Sequence, residues 1–131
     1  MDVLVVDDDP GVREALAGAL EDEGYGVTCA EDARVALRLL ERGARPSLLL
    51  VDLHMPMMDG LLFGQRLSND PATARIAVVF LSGDHRPPEL PGEFVSKAAG
   101  LDDLLAVVAR HCGPGRARVQ PARPRGRRSA F

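Results

Sequence analysis

The sequence has few of the residues that mark secreted, zinc-binding or membrane-spanning proteins. It contains two cysteines, one tyrosine and no tryptophan among 131 residues. Cys29 and Cys112 are too few for a disulfide framework, and no Cys or His pair has zinc-ligand spacing, which favours a reducing compartment. No apolar run approaches the roughly 20 residues that cross a bilayer, and the amino terminus lacks the basic segment of an export signal. We therefore expect a cytoplasmic protein with no membrane partner.

The chain is long enough to fold without disulfides or structural metal. Its 46% hydrophobic and 27% charged residues are ordinary globular proportions, at the commonest size for a single domain. A domain of this size buries roughly 65–70% of the surface that its unfolded chain exposes. We predict one domain over residues 1–112 and a tail over residues 113–131.

Charge is distributed unevenly between these two parts. Residues 1–112 contain all 19 acidic residues and 10 basic ones, a net charge of −9, whereas the tail has six arginines and no acidic residue. The tail is rich in Gly and Pro and nearly lacks apolar residues, so burial cannot offset its ordering entropy and we expect disorder. We favour a solvated linker for the tail over an arm that binds nucleic acid or an acidic partner.

Short apolar runs alternate with helical patterns along the predicted domain. Such alternation indicates strands joined by helical crossovers. The predicted strands span residues 3–6, 26–30, 47–53, 76–81 and 93–96. One helical pattern follows the first strand. Three more cover residues 32–42, 61–68 and 101–111. Because parallel neighbours require crossovers and both faces of their sheet must be covered, we predict a doubly wound α/β fold with a five-stranded parallel sheet.

Polar residues collect at the predicted carboxyl ends of the strands. Three aspartates, Asp7 to Asp9, follow the first strand, Asp52 ends the third, and Ser82 and Lys97 follow the fourth and fifth. In open parallel sheets this edge forms the ligand crevice. Carboxylates that converge there repel one another, and a hard cation such as Mg²⁺ relieves that repulsion. With a lysine and a hydroxyl to contact phosphoryl oxygens, the set can accept phosphate on an aspartate.

This arrangement resembles the receiver domain of two-component response regulators over residues 1–112. The residues that carry the resemblance are Asp7, Asp8, Asp52, Ser82, Phe94, Lys97 and the loop 55–60. The resemblance implies a flavodoxin-like sheet with strand order 2-1-3-4-5. It also implies a histidine kinase or phosphotransfer protein as the phosphoryl donor and a downstream protein as the target.

The resemblance assigns the acceptor and the metal ligands. Asp52 would be the phosphoacceptor, and Asp8 and Asp52 would bind Mg²⁺ directly. Asp7 would bind the ion through water, and the His54 backbone carbonyl would be a further ligand.

The resemblance also assigns the residues of the switch. Ser82 would move to the phosphoryl group, Phe94 would change its rotamer, and Lys97 would pair with the phosphate. Side chains two residues beyond the acceptor and the serine, His54 and Asp84, would tune the phosphate lifetime.

Two features of the sequence depart from the family. Only residues 83–93 separate Ser82 from Phe94, and three of them are prolines, which oppose a helix. We predict that the family's fourth helix is missing or a single turn. Ala98 replaces the proline that follows the lysine in the family, and a cis bond before a non-proline residue costs about 2.5–4 kcal/mol. The sequence does not decide between a cis and a trans bond there, and a trans bond could aim Lys97 differently from the family's lysine.

We interpret the chain as a phosphorylation switch rather than an enzyme acting on other substrates. One alternative is a pseudo-receiver that takes no phosphate and acts through protein or nucleic-acid contact. Another is a small Mg²⁺ phosphohydrolase with Asp52 as nucleophile, although His54 stands where such an enzyme would want a second acid-base aspartate.

Overall fold

The computed structural model describes residues 2–55, 60–83 and 92–115. Within these residues the chain forms five strands and four helices. The strands are β1 (Val3–Val6), β2 (Val27–Ala30), β3 (Leu48–Asp52), β4 (Ala77–Ser82) and β5 (Glu93–Ser96). The helices are α1 (Pro10–Asp22), α2 (Ala33–Glu41), α3 (Gly60–Ser68) and α4 (Leu101–Cys112).

All five strands are parallel and lie in the order β2-β1-β3-β4-β5. This confirms the predicted α/β fold and its strand order. The register aligns the carboxyl ends of the strands, since Val6 of β1 pairs with Val51 of β3 and Ser82 of β4 pairs with Ser96 of β5. The polar residues that follow or end these strands therefore lie along one edge of the sheet.

Helices cover both faces of the sheet, and each face has its own core. Helices α2 and α3 pack on one face through residues such as Leu40 and Phe63, and α1 and α4 pack on the other through residues such as Leu16 and Leu104. Every residue of β1 and β3 is buried. Burial on both faces explains why these strands are continuously apolar instead of alternating.

Aspartate side chains fix the starts of two helices. Asp9 Oδ1 accepts hydrogen bonds from the backbone N–H of Gly11 at 2.8 Å and of Val12 at 3.3 Å, which caps α1. Asp32 Oδ1 caps α2 by accepting from Val35 N–H at 3.0 Å. Such caps satisfy donors that a helix leaves unpaired at its first turn.

The connection from β4 to β5 is short for a parallel crossover. Residues 84–91, where we predicted that the family's fourth helix is missing or very short, lie outside the described residues. The ten residues between Ser82 and Glu93 span at most about 33–36 Å when extended, which is enough to return to the start of a parallel strand. Strand β5 does pair parallel with β4.

Two further points concern the backbone and the tail. Among the described residues no peptide bond is cis, so the bond between Lys97 and Ala98, which the sequence left open, is trans. The predicted disorder of the tail concerns residues 113–131, of which 116–131 lie outside the described part. In the described part, no helix is both long and apolar enough to span a bilayer.

Gly60 is the position where the fold leaves least room for a side chain near the sheet edge. A Cβ there would lie 2.5 Å from the Asp52 carbonyl oxygen, whereas a Cβ on the exposed Gly18 in α1 would contact nothing within 4 Å. We expect Gly60→Ala to lower the free energy of unfolding by about 1–3 kcal/mol. Gly18→Ala, the matched control, should raise it by about 0.5–1 kcal/mol. Urea unfolding of both variants measures this, and a Gly60→Ala protein as stable as wild type would contradict it.

Candidate functional site

Three aspartates meet at the carboxyl edge of the sheet. Carboxylate oxygens of Asp7, Asp8 and Asp52 lie within 4.8 Å of one another. Asp7 is fully buried and Asp52 is 5% exposed, whereas Asp8 is exposed. The cluster therefore has a buried floor and one side that faces solvent, and the three carboxylates converge at the edge where the sequence predicted them.

The turn from β1 to α1 holds Asp7 through both its backbone and its side chain. Asp7 N–H extends the sheet by donating to the Ala30 carbonyl at 3.2 Å, and Asp7 Oδ1 accepts from Asp9 N–H at 2.9 Å. Arg13 Nη1 reaches back from the first turn of α1 and donates to the Asp7 carbonyl at 2.8 Å. Sequence reasoning missed this contact of Arg13, because a single arginine in an amphipathic helix gives no signal of where its side chain turns.

Asp52 presents one oxygen to the backbone and the other to Lys97. Its Oδ1 accepts from His54 N–H at 3.0 Å, and its Oδ2 lies 3.6 Å from Lys97 Nζ. The loop behind it is tied down because Leu53 N–H donates to the Leu81 carbonyl at 3.0 Å and Gly60 N–H donates to the Leu53 carbonyl at 3.1 Å. Asp52, the phosphoacceptor predicted from the sequence, is thus fixed through Oδ1 while its Oδ2 faces the Lys97 ammonium.

Lys97 enters the cluster from β5 although its peptide bond to Ala98 is trans. Its Nζ donates to Asp7 Oδ2 at 2.9 Å and lies farther from Asp52 Oδ2, at 3.6 Å. Lys97 N–H also donates to the Ser82 carbonyl at 2.8 Å, which continues the pairing of β5 with β4. The substitution of alanine for the family's proline has therefore not turned the lysine away from the carboxylates.

The electrostatics of the cluster favour an added cation. Burial raises the pKa of Asp52, and the charges of Asp7 and Asp8 raise it further, against the opposing effects of the His54 N–H and of Lys97. Burial alone would lower the pKa of Lys97, but its hydrogen bond to Asp7 and the charges of Asp7 and Asp52 outweigh that effect and raise it. One ammonium thus pairs with two carboxylates of a cluster of three, and the pKa of Asp52 is still raised.

The donor set fits a small hard cation. Mg²⁺ prefers carboxylate and carbonyl oxygens with retained waters at about 2.0–2.1 Å, and octahedral ligands at that distance lie about 3–4 Å from one another. The oxygens of Asp7, Asp8 and Asp52 are close enough to reach one such ion, and the exposed side at Asp8 admits its waters. His54 follows Asp52 directly in the loop, and the ligand role of its carbonyl stays a prediction.

The two predicted switch residues lie at different distances from the cluster along the sheet. Ser82 is 1% exposed at the end of β4 and pairs with Ser96, next to Lys97. Phe94 lies on β5 opposite Phe80 and is partly buried against the core on the α2 and α3 side. Ser82 thus lies at the carboxyl edge of the sheet beside Lys97, whereas Phe94 lies three residues back along β5 from Lys97 and belongs to the packing of that face.

Comparison with known proteins identifies the family. The family model described as response regulator receiver domain matches residues 3–109, and the chain belongs to that family. It is 36% identical over 119 residues to an uncharacterized 14.6 kDa protein of Leptolyngbya boryana, covering 86% of this chain and 90% of that protein. It is 38% identical over 114 residues to the response regulator Rre1 of Synechocystis, covering 81% of this chain and 49% of Rre1, so the chain spans about half of that relative.

A solved structure supports the same assignment. The receiver domain of a signal transduction histidine kinase from Syntrophus aciditrophicus superposes with a TM-score of 0.78 at 29% identity, covering 92% of this chain and 97% of that one. Receiver domains of response regulators are signalling modules that interact with histidine kinases or phosphotransfer proteins and bind Mg²⁺ at an acidic pocket. The fold and the acidic cluster of this chain agree with that class.

The ion pair of Lys97 with buried Asp7 should matter for stability in the absence of divalent metal. Removing one partner of a buried pair leaves the other charge uncompensated. We expect Lys97→Met to lower the free energy of unfolding by about 3 kcal/mol in EDTA. The control Arg34→Met removes the exposed 3.4 Å pair with Asp32 and should cost no more than about 1 kcal/mol.

A double variant separates the lost charge pair from lost packing. Asp7→Asn combined with Lys97→Met should regain part of the stability that Lys97→Met loses, because no ionised Asp7 then lacks its partner. Chemical denaturation at neutral pH measures all four proteins. Equal costs for Lys97→Met and Arg34→Met would show that the pair contributes nothing beyond an exposed contact.

Proposed function

We propose that this receiver domain is a phosphorylation switch in which Asp52 accepts a phosphoryl group from a phosphohistidine of a histidine kinase or phosphotransfer protein in the cytoplasm. The observation that carries the proposal is the placement of Asp52 Oδ2. This oxygen lies 3.6 Å from Lys97 Nζ and shares its pocket with the carboxylates of Asp7 and Asp8. The nucleophile, a cation and a set of metal ligands thus occupy one solvent-accessible place.

The transfer needs an oxygen that can attack phosphorus and charges that stabilise the transferred group. Asp52 Oδ2 forms the new P–O bond while the P–N bond of the donor breaks, and the bonding electrons leave with the imidazole nitrogen. Asp52 Oδ1 keeps its hydrogen bond from His54 N–H, so the carboxylate stays oriented during the attack. When bound, Mg²⁺ neutralises charge on the phosphoryl oxygens.

The remaining residues have roles that follow from their positions. Lys97 is protonated, and its ammonium can exchange a carboxylate oxygen for a phosphoryl oxygen without leaving the pocket. Ser82 would supply a hydroxyl from the end of the adjacent strand β4, where it is buried. Asp8, Asp52 and the His54 carbonyl would hold Mg²⁺ directly. Asp7, whose carboxylate oxygens accept hydrogen bonds from Asp9 N–H and Lys97 Nζ, would do so through water.

Transmission of the signal would use Phe94 and the surface of β5. Phe94 pairs with Phe80 across the two strands and is only partly buried, so its ring has a route to solvent that a core ring lacks. Motion of Ser82 toward the phosphoryl group would act on the same two strands. Residues 1–112 would form the receiver domain and residues 113–131 the tail that follows it, and the target of the switch would be a downstream protein.

Phosphorylation of Asp52 can be tested with a small-molecule donor. Incubation with acetyl phosphate and Mg²⁺ should add the mass of one phosphoryl group to the wild-type chain and none to Asp52→Asn. The matched control Asp103→Asn, an exposed aspartate in the first turn of α4, should be modified as fully as wild type. Intact-mass spectrometry after rapid quenching gives the result, and it should depend on Mg²⁺.

Two related assays test the pseudo-receiver and the phosphohydrolase alternatives. Wild type that takes neither acetyl phosphate nor beryllofluoride, while it still folds, would favour a pseudo-receiver that acts by contact alone. Steady turnover of a phosphate ester that stops in Asp52→Asn would favour a phosphohydrolase.

Metal binding has a readout that does not depend on phosphorylation. A ligand that binds only the folded state raises its stability, by about 2.7 kcal/mol at 100 times the dissociation constant. We therefore expect saturating Mg²⁺ to raise the melting temperature of wild type by several degrees. Asp8→Asn should lose most of that rise, and Asp103→Asn should keep it. A melting temperature that does not respond to Mg²⁺ in wild type would contradict the metal site.

A further inference from the structure

Arg13 makes a contact that the proposed phosphoryl transfer does not use. Its Nη1 donates to the Asp7 carbonyl at 2.8 Å, across the turn from β1 to α1. Side chains of an α-helix point toward its amino terminus, so a long side chain near the start of α1 is directed back at the end of β1. Burial raises the pKa of the Cys29 thiol on β2, and the charge of Arg13 opposes that rise. The partly buried guanidinium is therefore built into the turn that carries the site aspartates.

The Asp7 carbonyl depends on this donor. Asp7 is fully buried, so water does not reach its carbonyl oxygen, and a buried carbonyl without a donor is unfavourable. The carboxylate oxygens of Asp7 have donors of their own, because Oδ1 accepts from Asp9 N–H and Oδ2 accepts from Lys97 Nζ, each at 2.9 Å. Of these three donors, the guanidinium of Arg13 is the one that acts on the backbone of Asp7.

The side chain of Asp8 has no comparable support. Asp8 is exposed, and within the described part of the chain its carboxylate accepts no hydrogen bond and forms no ion pair. One of its oxygens nevertheless lies within 4.8 Å of carboxylate oxygens of Asp7 and Asp52. The position of the Asp8 carboxylate in the cluster is therefore set by its backbone.

One peptide group connects Asp7 to Asp8. A peptide group is planar, so the Asp7 carbonyl and the Asp8 N–H lie in one plane and turn together. A donor that fixes the direction of the Asp7 carbonyl also fixes the direction in which Asp8 begins. Without Arg13 the buried carbonyl can regain a donor only by turning, and that rotation moves Asp8.

We propose that Arg13 is a positioning residue of the metal site, which fixes the peptide group between Asp7 and Asp8 and so holds the Asp8 carboxylate in place for a divalent cation. This role rests on the proposed function, in which Asp8 binds Mg²⁺ directly. Groups that orient metal ligands without touching the metal contribute about 10–100-fold to metal affinity. Loss of Arg13 therefore weakens the binding of Mg²⁺ and leaves the chemistry at Asp52 unchanged.

The first test measures the affinity of full-length variants for Mg²⁺ by NMR titration. Arg13→Met should bind Mg²⁺ about 10-fold more weakly than wild type. Arg13→Lys keeps a charged donor on a long side chain and should regain part of that affinity. Arg45→Met is the matched control, because Arg45 Nη1 also donates to a backbone carbonyl at 2.8 Å, that of Leu40, at the far end of α2. The control should bind Mg²⁺ as wild type does.

A second measurement needs no metal. In EDTA the backbone amides of residues 7–9 should exchange with solvent faster in Arg13→Met than in wild type, because the turn has lost one of its fixed points. The amides of β3 should keep their protection, which distinguishes a local effect from a general loss of stability. In Arg45→Met the amides of residues 7–9 should exchange as in wild type.

The Mg²⁺ dependence of phosphorylation by acetyl phosphate separates affinity from chemistry. Arg13→Met should need about 10-fold more Mg²⁺ for half its maximal rate and should reach the wild-type rate at saturation. A rate that stays low at saturating Mg²⁺ would overturn the positioning role, because Arg13 would then act on the chemical step.

The outcomes for this role and for the proposed function differ. Wild-type Mg²⁺ affinity in Arg13→Met, or a loss that Arg45→Met shares, would overturn the role of Arg13 and leave the proposed function intact. A wild-type protein that binds no Mg²⁺ would contradict the metal site itself, and the role of Arg13 would fail with it.

Discussion

One ammonium group shared by two buried carboxylates is the interaction on which the site depends. Lys97 joins β5 at the edge of the sheet to β1 and β3 at its centre, and it does so between charges that would otherwise repel. The register of the parallel strands makes this possible, because it brings Asp52 and Lys97, which lie 45 and 90 positions after Asp7 in the sequence, to the same edge of the sheet. The topology of the sheet therefore brings the residues of the pocket together. The residue types at these positions, three aspartates and one lysine, give the pocket its excess of negative charge.

Most of the fold could be predicted because its signals are local and repeated. The buried strands β1 and β3 are continuously apolar, and the helices begin at aspartate caps such as Asp9. The order of the strands did not follow from these patterns, since periodicity says which segments are strands but not which are neighbours. It came from the likeness of the acid, hydroxyl and lysine positions to a known family, and the sheet agrees with it.

The sequence allowed the convergence of the carboxylates and the lysine to be predicted, but not their individual contacts. That Asp7, Asp8, Asp52 and Lys97 converge follows from strand ends, which a sequence shows. That Lys97 lies closer to Asp7 than to Asp52, and that Arg13 holds the Asp7 carbonyl, depends on side-chain rotamers that no sequence pattern encodes. The close approach of Gly115 to the Glu23 carbonyl at the end of α1 was missed for another reason, since the composition of the tail predicts little burial.

The complete burial of β3 has a mechanical consequence for how the domain can respond. Asp52 is the last residue of a strand that is hydrogen-bonded on both sides and covered on both faces, so displacing that strand would break its pairing with β1 and β4 together. Strand β5 has only one such neighbour in the sheet and is partly exposed. Stiffness therefore decreases from the centre of the sheet toward β5, and a change that begins at Asp52 will deform the periphery while the centre stays in place.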